Sequence, residues 1–384
     1  MPTDNIVKHA AHILRSFEIE PRPLDRMLDE YYRGNRNIGS KDRQIISNTL
    51  FGIMRVKRRL DGVLQLEGIK NPTHVQRVTA FLESKHDLKA DPDRFPGGPA
   101  AYWSYPDFIY DRLVKYRGKE WAATIVAALE NEAKVVIRVN TLKIDRDKLQ
   151  KILNSEGIES HLTDRSPFGL ILSRRINLNS FKSFKDGLFE IQDEGSQLLG
   201  LLIDPKKDET VIDVCAGAGG KTLLIAMLME GGGKIIASDI NIRKLKILKG
   251  RARQAGVKNI KVVLANKLKE YYRDSADAVL IDAPCTGTGT LRRNPDLKWR
   301  LGESDIENCV KTQKEILADC TSLVKKGGRL IYATCSLLPD ENEQVVDWFI
   351  KKFGWELAGD YFRTDPSKES MDGFFAAVIK RPSR

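Results

Sequence analysis

The stretch TVIDVCAGAGGKT, Thr210–Thr222, decides how this chain is read. Thr210–Cys215 is a short, mostly apolar run of the kind that forms a strand buried on both faces, and Gly219–Met229 continues as a helix. Downstream the same alternation repeats. Strands are expected at Lys234–Ser238, Ile260–Leu264, Ala276–Ile281, Arg329–Ala333 and Gly373–Lys380, with helices at Asn241–Ala255, Asp305–Val324 and Glu341–Phe353. Repeated βα units predict an α/β fold built on a parallel, doubly wound sheet, with ligands at the carboxyl ends of its strands.

The glycines of the opening stretch let the backbone turn tightly beside a ligand, with the next helix presenting its N-terminus. Three ligands compete for such a turn. A phosphate loop needs GxxxxGK[ST], and Cys215 stands where its first glycine belongs. A dinucleotide fingerprint needs a third glycine where Thr222 stands. S-adenosylmethionine, which carries no phosphate, remains. Asp239 ends the next strand, placed to accept hydrogen bonds from both ribose hydroxyls.

Upstream the pattern differs. Residues 1–128 read as helices only, with Ile6, Ala10, Ile13, Leu14 and Phe17 on one face and Leu24, Met27, Leu28 and Tyr31 on another. A helix opening near Ser40 should carry Ile45, Ile46, Thr49 and Leu50 inward and several arginines outward. Residues 129–200 open with the strand-like KVVIRVNTL (Lys134–Leu142) and continue through short runs at Ile158–Leu162, Leu170–Leu172 and Leu188–Gln192, a small α+β module. The expected order is therefore a helical domain (1–128), the module (129–200) and the βα domain (201–384). For 384 residues, two or three domains match a prior of roughly one per 150.

Hydrophobic residues at 41% and charged residues at 30% argue against a disordered chain. With no apolar run of membrane-spanning length and no apolar block at the N-terminus, a soluble, cytoplasmic protein is expected. The net charge is +11, and Arg33–Arg59 alone carries eight basic residues and one acid. That excess suits a surface meeting phosphates, with Arg55, Arg58 and Arg59 as candidates; a solvated helix face is the competing reading. All five histidines precede residue 162, so the C-terminal half has no Ser-His-Asp or Cys-His machinery, and no metal site is expected.

Two further strand ends carry cysteine. AVLIDAPCTGTG places Asp282, Pro284 and Cys285 at one mouth, and RLIYATCS places Thr334 and Cys335 at the next. A single cysteine is ordinarily a small buried hydrophobe, and that reading stands for Cys309 and Cys320 within a helix. Cys285 and Cys335 differ, because both end strands on the ligand face of one sheet.

DVCAGAGGKT, DAPCTGTGTLRRNPDLKWR and YATCSLLPDENEQVV resemble the signature motifs of the Sun/RsmB-type RNA cytosine-5 methyltransferases, supported by FEIQDEGSQ and MDGFFAAVIKR. SKDRQIISNTLFGIMR resembles the NusB-like helical domain that bacterial members carry ahead of the catalytic core. The resemblance implies a Rossmann-like S-adenosylmethionine-dependent methyltransferase sheet. It implies methylation of carbon 5 of a cytosine, with Cys335 as nucleophile, Cys285 assisting breakdown of the covalent adduct and Asp282 contacting the base. The cofactor would lie against Cys215, Ala216, Gly217, Ala218, Gly219, Gly220 and Lys221, with Asp239, Asn266 and Asp282 completing the set; Cys215 packs and has no catalytic part. Asn266 stands where the family usually has an acid facing the adenine amino group. Lys221 reads either as a charge that lowers a thiol pKa or as a surface lysine.

The chemistry asks for the same residues. Carbon 5 of cytosine becomes nucleophilic only after a thiolate has added to carbon 6, and cysteine is both a strong nucleophile and a competent leaving group. In the loop Leu291–Arg300, Arg292, Arg293 and Lys298 are expected to meet RNA, while Trp299 stacks on a base or anchors the loop. The resemblance in domain order implies small-subunit ribosomal RNA as partner, and nothing in the sequence suggests more than a monomer. Transfer RNA, or a lapsed assembly factor that only binds RNA, are the alternatives.

Overall fold

The computed structural model describes residues 4–87 and 89–383. They form two compact units, one of residues up to Glu132 together with Thr290–Glu303, the other of Ala133–Gly289 and Ser304 onward. The boundary between the units falls at 132/133, and the second unit holds both the small module and the βα domain. Helix Glu194–Ile203 joins the small module to the sheet: its Gly200 lies so close to Leu224 that an added Cβ would sit 2.0 Å from that side chain.

The helical unit contains Asp4–Ile19, Leu24–Gly34, Ser40–Leu66, His74–Leu82, Gly98–Tyr102, Asp107–Arg117 and Lys119–Glu130. Its core takes the expected faces of the first two helices, with Ile46, Leu50 and Ile53 fully buried, whereas Ile45 turns outward. The long helix kinks at Val56 (φ −119°, ψ 17°). There Arg58 N donates to Ser104 Oγ (3.0 Å), while the Met54 and Arg55 carbonyls accept Trp299 Nε1 (2.6 Å) and Lys298 Nζ (2.9 Å). Residues 290–303 thus belong to this unit because their side chains satisfy the carbonyls at the bend.

The second unit holds two sheets. Strands β1 (Val135–Val139), β2 (Ser160–Leu162), β3 (Gly169–Leu172) and β4 (Phe189–Ile191) form an antiparallel sheet in the order β2-β3-β1-β4. The larger sheet comprises β5 (Thr210–Asp213), β6 (Lys234–Asp239), β7 (Ile260–Leu264), β8 (Ala276–Asp282), β9 (Val324–Thr334), β10 (Glu356–Leu357), β11 (Phe362–Arg363) and β12 (Phe375–Lys380). Its order is β10-β12-β9-β8-β5-β6-β7, with β11 beside β12. Strands β5 to β9 are parallel and β12 runs antiparallel to β9. The order reverses between β5 and β8, which opens a crevice at their carboxyl ends. Ile212, Val279, Ile281 and Leu330 fill one face and Val211, Ala278, Leu280 and Ile331 the other, so both are covered, as an all-parallel core requires.

Candidate active site

The site begins where β5 ends. Val214 N donates to Leu280 O (3.0 Å) and Ala216 N to Ser238 O (2.8 Å), so the turn leaves the sheet tethered on both sides. Gly217 (φ +54°) and Gly219 (φ +94°) are left-handed, and an added Cβ on Gly219 would meet Leu248 at 2.7 Å. Only glycine fits there. Helix Gly220–Leu228 then starts with its free amides toward the crevice.

Two arginines from outside the motif, Arg138 buried and Arg251 half-buried, hold the turn. Arg138 on β1 donates from Nη1 to Gly220 O (2.9 Å) and to Gln192 Oε1, and burial lowers its pKa to about 10, still charged at neutral pH. Arg251 donates to Ala218 O (2.7 Å) and to Glu190 Oε2 (2.6 Å). Asp239, at the end of β6, accepts from Gly217 N (2.9 Å) and Asn241 N (2.7 Å), which fixes its carboxylate at the cavity wall.

A cavity of about 820 Å³ lies over these groups. Cys215, Ala216, Gly217, Ala218, Gly220, Lys221, Asp239, Asn266 and Asp282 line it; Gly219 shapes the turn from behind. Sequence reading passed over Gln192, Ser196, Ile240 and Lys244, which line it too. Gln192 and Ser196 lie within FEIQDEGSQ, and the hydrogen bond between them (3.0 Å) fixes both side chains. Asp213 sits at the base with one oxygen accepting from Thr222 Oγ1 (2.7 Å) and the other without a protein partner. Burial raises its pKa to about 7, and the nearby Asp282 charge adds to the rise.

The cysteines meet at the adjoining mouth. Register pairs Asp282 on β8 with Ala333 on β9, so Cys285, three residues on, and Cys335, two residues on, leave neighbouring strands together. Their sulfurs are 3.4 Å apart. The hydrogen bond to Cys335, reinforced by burial, pushes the Cys285 thiol well above its ordinary value, so Cys285 holds its proton. Burial, with the charges of Asp213, Asp282 and Asp239, pushes the Cys215 thiol up, as befits a packing residue. Lys221 Nζ lies 2.7 Å from Asp282 Oδ2. Burial pulls its pKa down, but Asp282 outweighs this and holds the ammonium above its usual range. Lys221 is therefore no surface lysine.

Glu341, fully buried, clasps the two cysteine loops. Its carboxylate accepts from Thr286 N (2.8 Å) and Gln313 Nε2 (3.1 Å) through one oxygen, and from Thr286 Oγ1 and Ser336 Oγ (both 2.5 Å) through the other. Gly289 N adds a bond to Cys335 O (2.9 Å).

The basic residues expected to meet RNA are placed otherwise. Arg59 makes a bidentate pair with Glu130 (2.7 Å each) and donates to Tyr102 O (2.6 Å). Arg58 donates to Tyr105 O (2.6 Å) and Asp107 (2.8 Å), and the Arg55 side chain is 11% exposed, 4.0 Å from Glu132. Lys298 is buried over the Tyr105 ring (4.3 Å), and burial pulls its pKa well down; Arg292 is buried as well, and Arg293 half-buried. The structure therefore places Arg55, Arg58, Arg59 and Lys298 on partners within the helical unit and Arg292 in its interior, rather than on an open phosphate-facing surface. Trp299 is the loop anchor.

Comparison with known proteins fits this geometry. Residues 200–380 match the family 16S rRNA methyltransferase RsmB/F, and residues 105–179 match the RsmF/B-like ferredoxin-like domain. A relative described as ribosomal RNA small subunit methyltransferase B, from Vibrio vulnificus, is 31% identical over 82% of this chain and 75% of its own. The chain belongs to the RsmB/F family. A probable methyltransferase B from Bacillus subtilis is 35% identical over 65% of this chain, which spans little more than half (56%) of that relative. The crystal structure of PH0851 has a TM-score of 0.82 at 26% identity, with 99% of each chain covered.

S-adenosylmethionine is the methyl donor of this family. The cavity fits it: a carboxylate at the end of β6 for ribose hydroxyls, no phosphate cradle, and an unpartnered Asp213 oxygen. Among the described residues, no group of three or more His, Cys, Asp or Glu is placed to hold a metal, and no helix is long and apolar enough to cross a membrane.

Proposed function

We propose that this protein methylates carbon 5 of a cytosine in RNA, with small-subunit ribosomal RNA as the target class, through a covalent bond to Cys335. The observation that carries this reading is the contact of two sulfurs, 3.4 Å apart at the ends of adjacent parallel strands, beside the Lys221–Asp282 pair.

Cys335, as thiolate, adds to carbon 6 of the ring. The carbon 5–carbon 6 double bond opens and electron density moves toward carbon 5 and the ring nitrogen, where Asp282 contacts the base and shares a proton. Bound S-adenosylmethionine supplies the electrophilic methyl group that carbon 5 takes. Loss of the proton from carbon 5 to water then restores the double bond and expels the Cys335 thiolate. Cys285 assists this elimination: its thiol, kept protonated by its raised pKa, donates a hydrogen bond to the departing sulfur. Lys221 balances the negative charge of Asp282 and of the thiolate as each develops. Asp239 holds the ribose of the donor, and Asn266 receives its adenine through an amide oxygen.

The test is bisulfite mapping of ribosomal and transfer RNA from cells with and without the protein. One cytosine of small-subunit ribosomal RNA should lose its protection when the protein is removed and regain it with the wild-type chain but not with Cys335→Ser. Unchanged protection everywhere would overturn the reading, and loss confined to transfer RNA would move the target.

A further inference from the structure

Between Arg243 and Lys269 the chain carries ten lysines and arginines and no acid, a denser run than Arg33–Arg59. Helix Ile242–Ala255 presents Leu245, Leu248, Ala252 and Ala255 to the sheet, which sends Arg243, Lys246, Lys249 and Arg253 to the opposite, exposed side at spacings of three and four. That stripe extends about 15 Å along the helix. Beside it runs β7, which pairs with β6 on one side and ends the sheet on the other. A groove of about 410 Å³ lies between helix and strand, walled by Lys249, Arg253 and Lys258 and lined by Ala252, Val257 and Val262. All three cations are exposed.

The geometry points to this groove as a second RNA-binding surface, on the amino-terminal side of the sheet and three strands from β8, holding single-stranded RNA that reaches beyond the catalytic mouth. Phosphates sit on Lys249, Arg253 and Lys258, and an unstacked base lies against the apolar lining. Charge complementarity selects the partner: the exposed cations Arg243, Lys246, Lys249, Arg253 and Lys258 attract a polyanion, and the apolar strip suits the face of a base. The inference rests on RNA being the substrate and names where, beyond the cysteine mouth, it is held.

The experiment titrates the full chain with a fluorescent single-stranded oligoribonucleotide of mixed sequence over a salt series. Three proteins are compared: wild type, Lys249→Ala/Arg253→Ala/Lys258→Ala, and the control Lys326→Ala/Lys351→Ala/Lys352→Ala. Losing three phosphate contacts should lower the slope of log K against log salt by about 2 and weaken binding roughly 10-fold or more at low salt. The control should keep the wild-type slope, and S-adenosylmethionine affinity should be the same in all three. Equal affinity and slope in both triple variants would overturn the surface while leaving the proposed activity standing. Loss of binding to a glutamate-rich peptide with RNA binding intact would assign the groove to an acidic protein. A wild-type chain that binds no RNA would overturn both readings.

Discussion

The mouth of β8 and β9 and the arginine-rich helix around Val56 are both conspicuous in the sequence, and they come to opposite ends. At the mouth, Cys285, Cys335 and Asp282 are set by strand register and gathered at neighbouring strand ends, where Asp282 lines the crevice. In the helix, Arg55, Arg58 and Arg59 turn toward partners 43 to 77 residues away and are consumed there. Residue type at a strand end constrains position, because neighbouring parallel strands finish side by side. A density of charge fixes no direction. The acids and carbonyls that claimed these arginines lie in later helices, and nothing in Arg33–Arg59 announces them.

Variants sharpen this contrast, the largest effect first. Cys335→Ser should abolish turnover and adduct alike, with cofactor affinity kept; normal turnover would remove the nucleophile assignment. Lys221→Met should lower kcat roughly 100-fold, since a fixed charge facing a developing anion is lost, and single-turnover kinetics would show whether the chemical step is the one slowed. Arg59→Ala should destabilise the helical unit by about 2–3 kcal/mol, through the loss of charge-assisted bonds to Glu130 and Tyr102. Urea unfolding measures this, and the salt slope for RNA should not change. A flattened slope in a fully stable variant would restore Arg59 to the RNA surface.

The smallest effect concerns pH. The Asp213 carboxyl, raised to about 7 in the fold, binds its proton more tightly there than in the unfolded chain. Its contribution to stability is complete below about pH 4 and is lost as pH rises through about 7. Asp213→Asn should therefore flatten the fall in melting temperature between pH 5 and pH 8. An unaltered profile would mean that Asp213 is ionised throughout.

The βα succession was legible in the sequence because buried strands and amphipathic helices have different periods. Expected and observed bounds coincide for β7 and lie within a few residues for most of the others. β9 begins five residues earlier than Arg329, because polar Lys325 and Lys326 and two glycines conceal its first turn onto β8. Helix Glu194–Ile203 and the short strands β10 and β11 carried no periodic signal of their own. At the site, the motif residues could be read, but their supports could not. Arg138 and Glu341 are single charged residues whose importance arises from burial, and burial is settled by elements far along the chain. Lys298 and Trp299 misled in the same way. Their side chains look suited to a nucleotide until a helix kink supplies carbonyls that need donors.

The most direct test of the central claim uses Cys285→Ala, which keeps the nucleophile and removes the group that helps release it. The variant is incubated with substrate RNA and S-adenosylmethionine, digested with nuclease and protease, and analysed by mass spectrometry. The account predicts a methylated cytidine nucleotide attached to the peptide containing Cys335. A nucleotide attached to any other cysteine, or rapid turnover with no attached nucleotide, would contradict it.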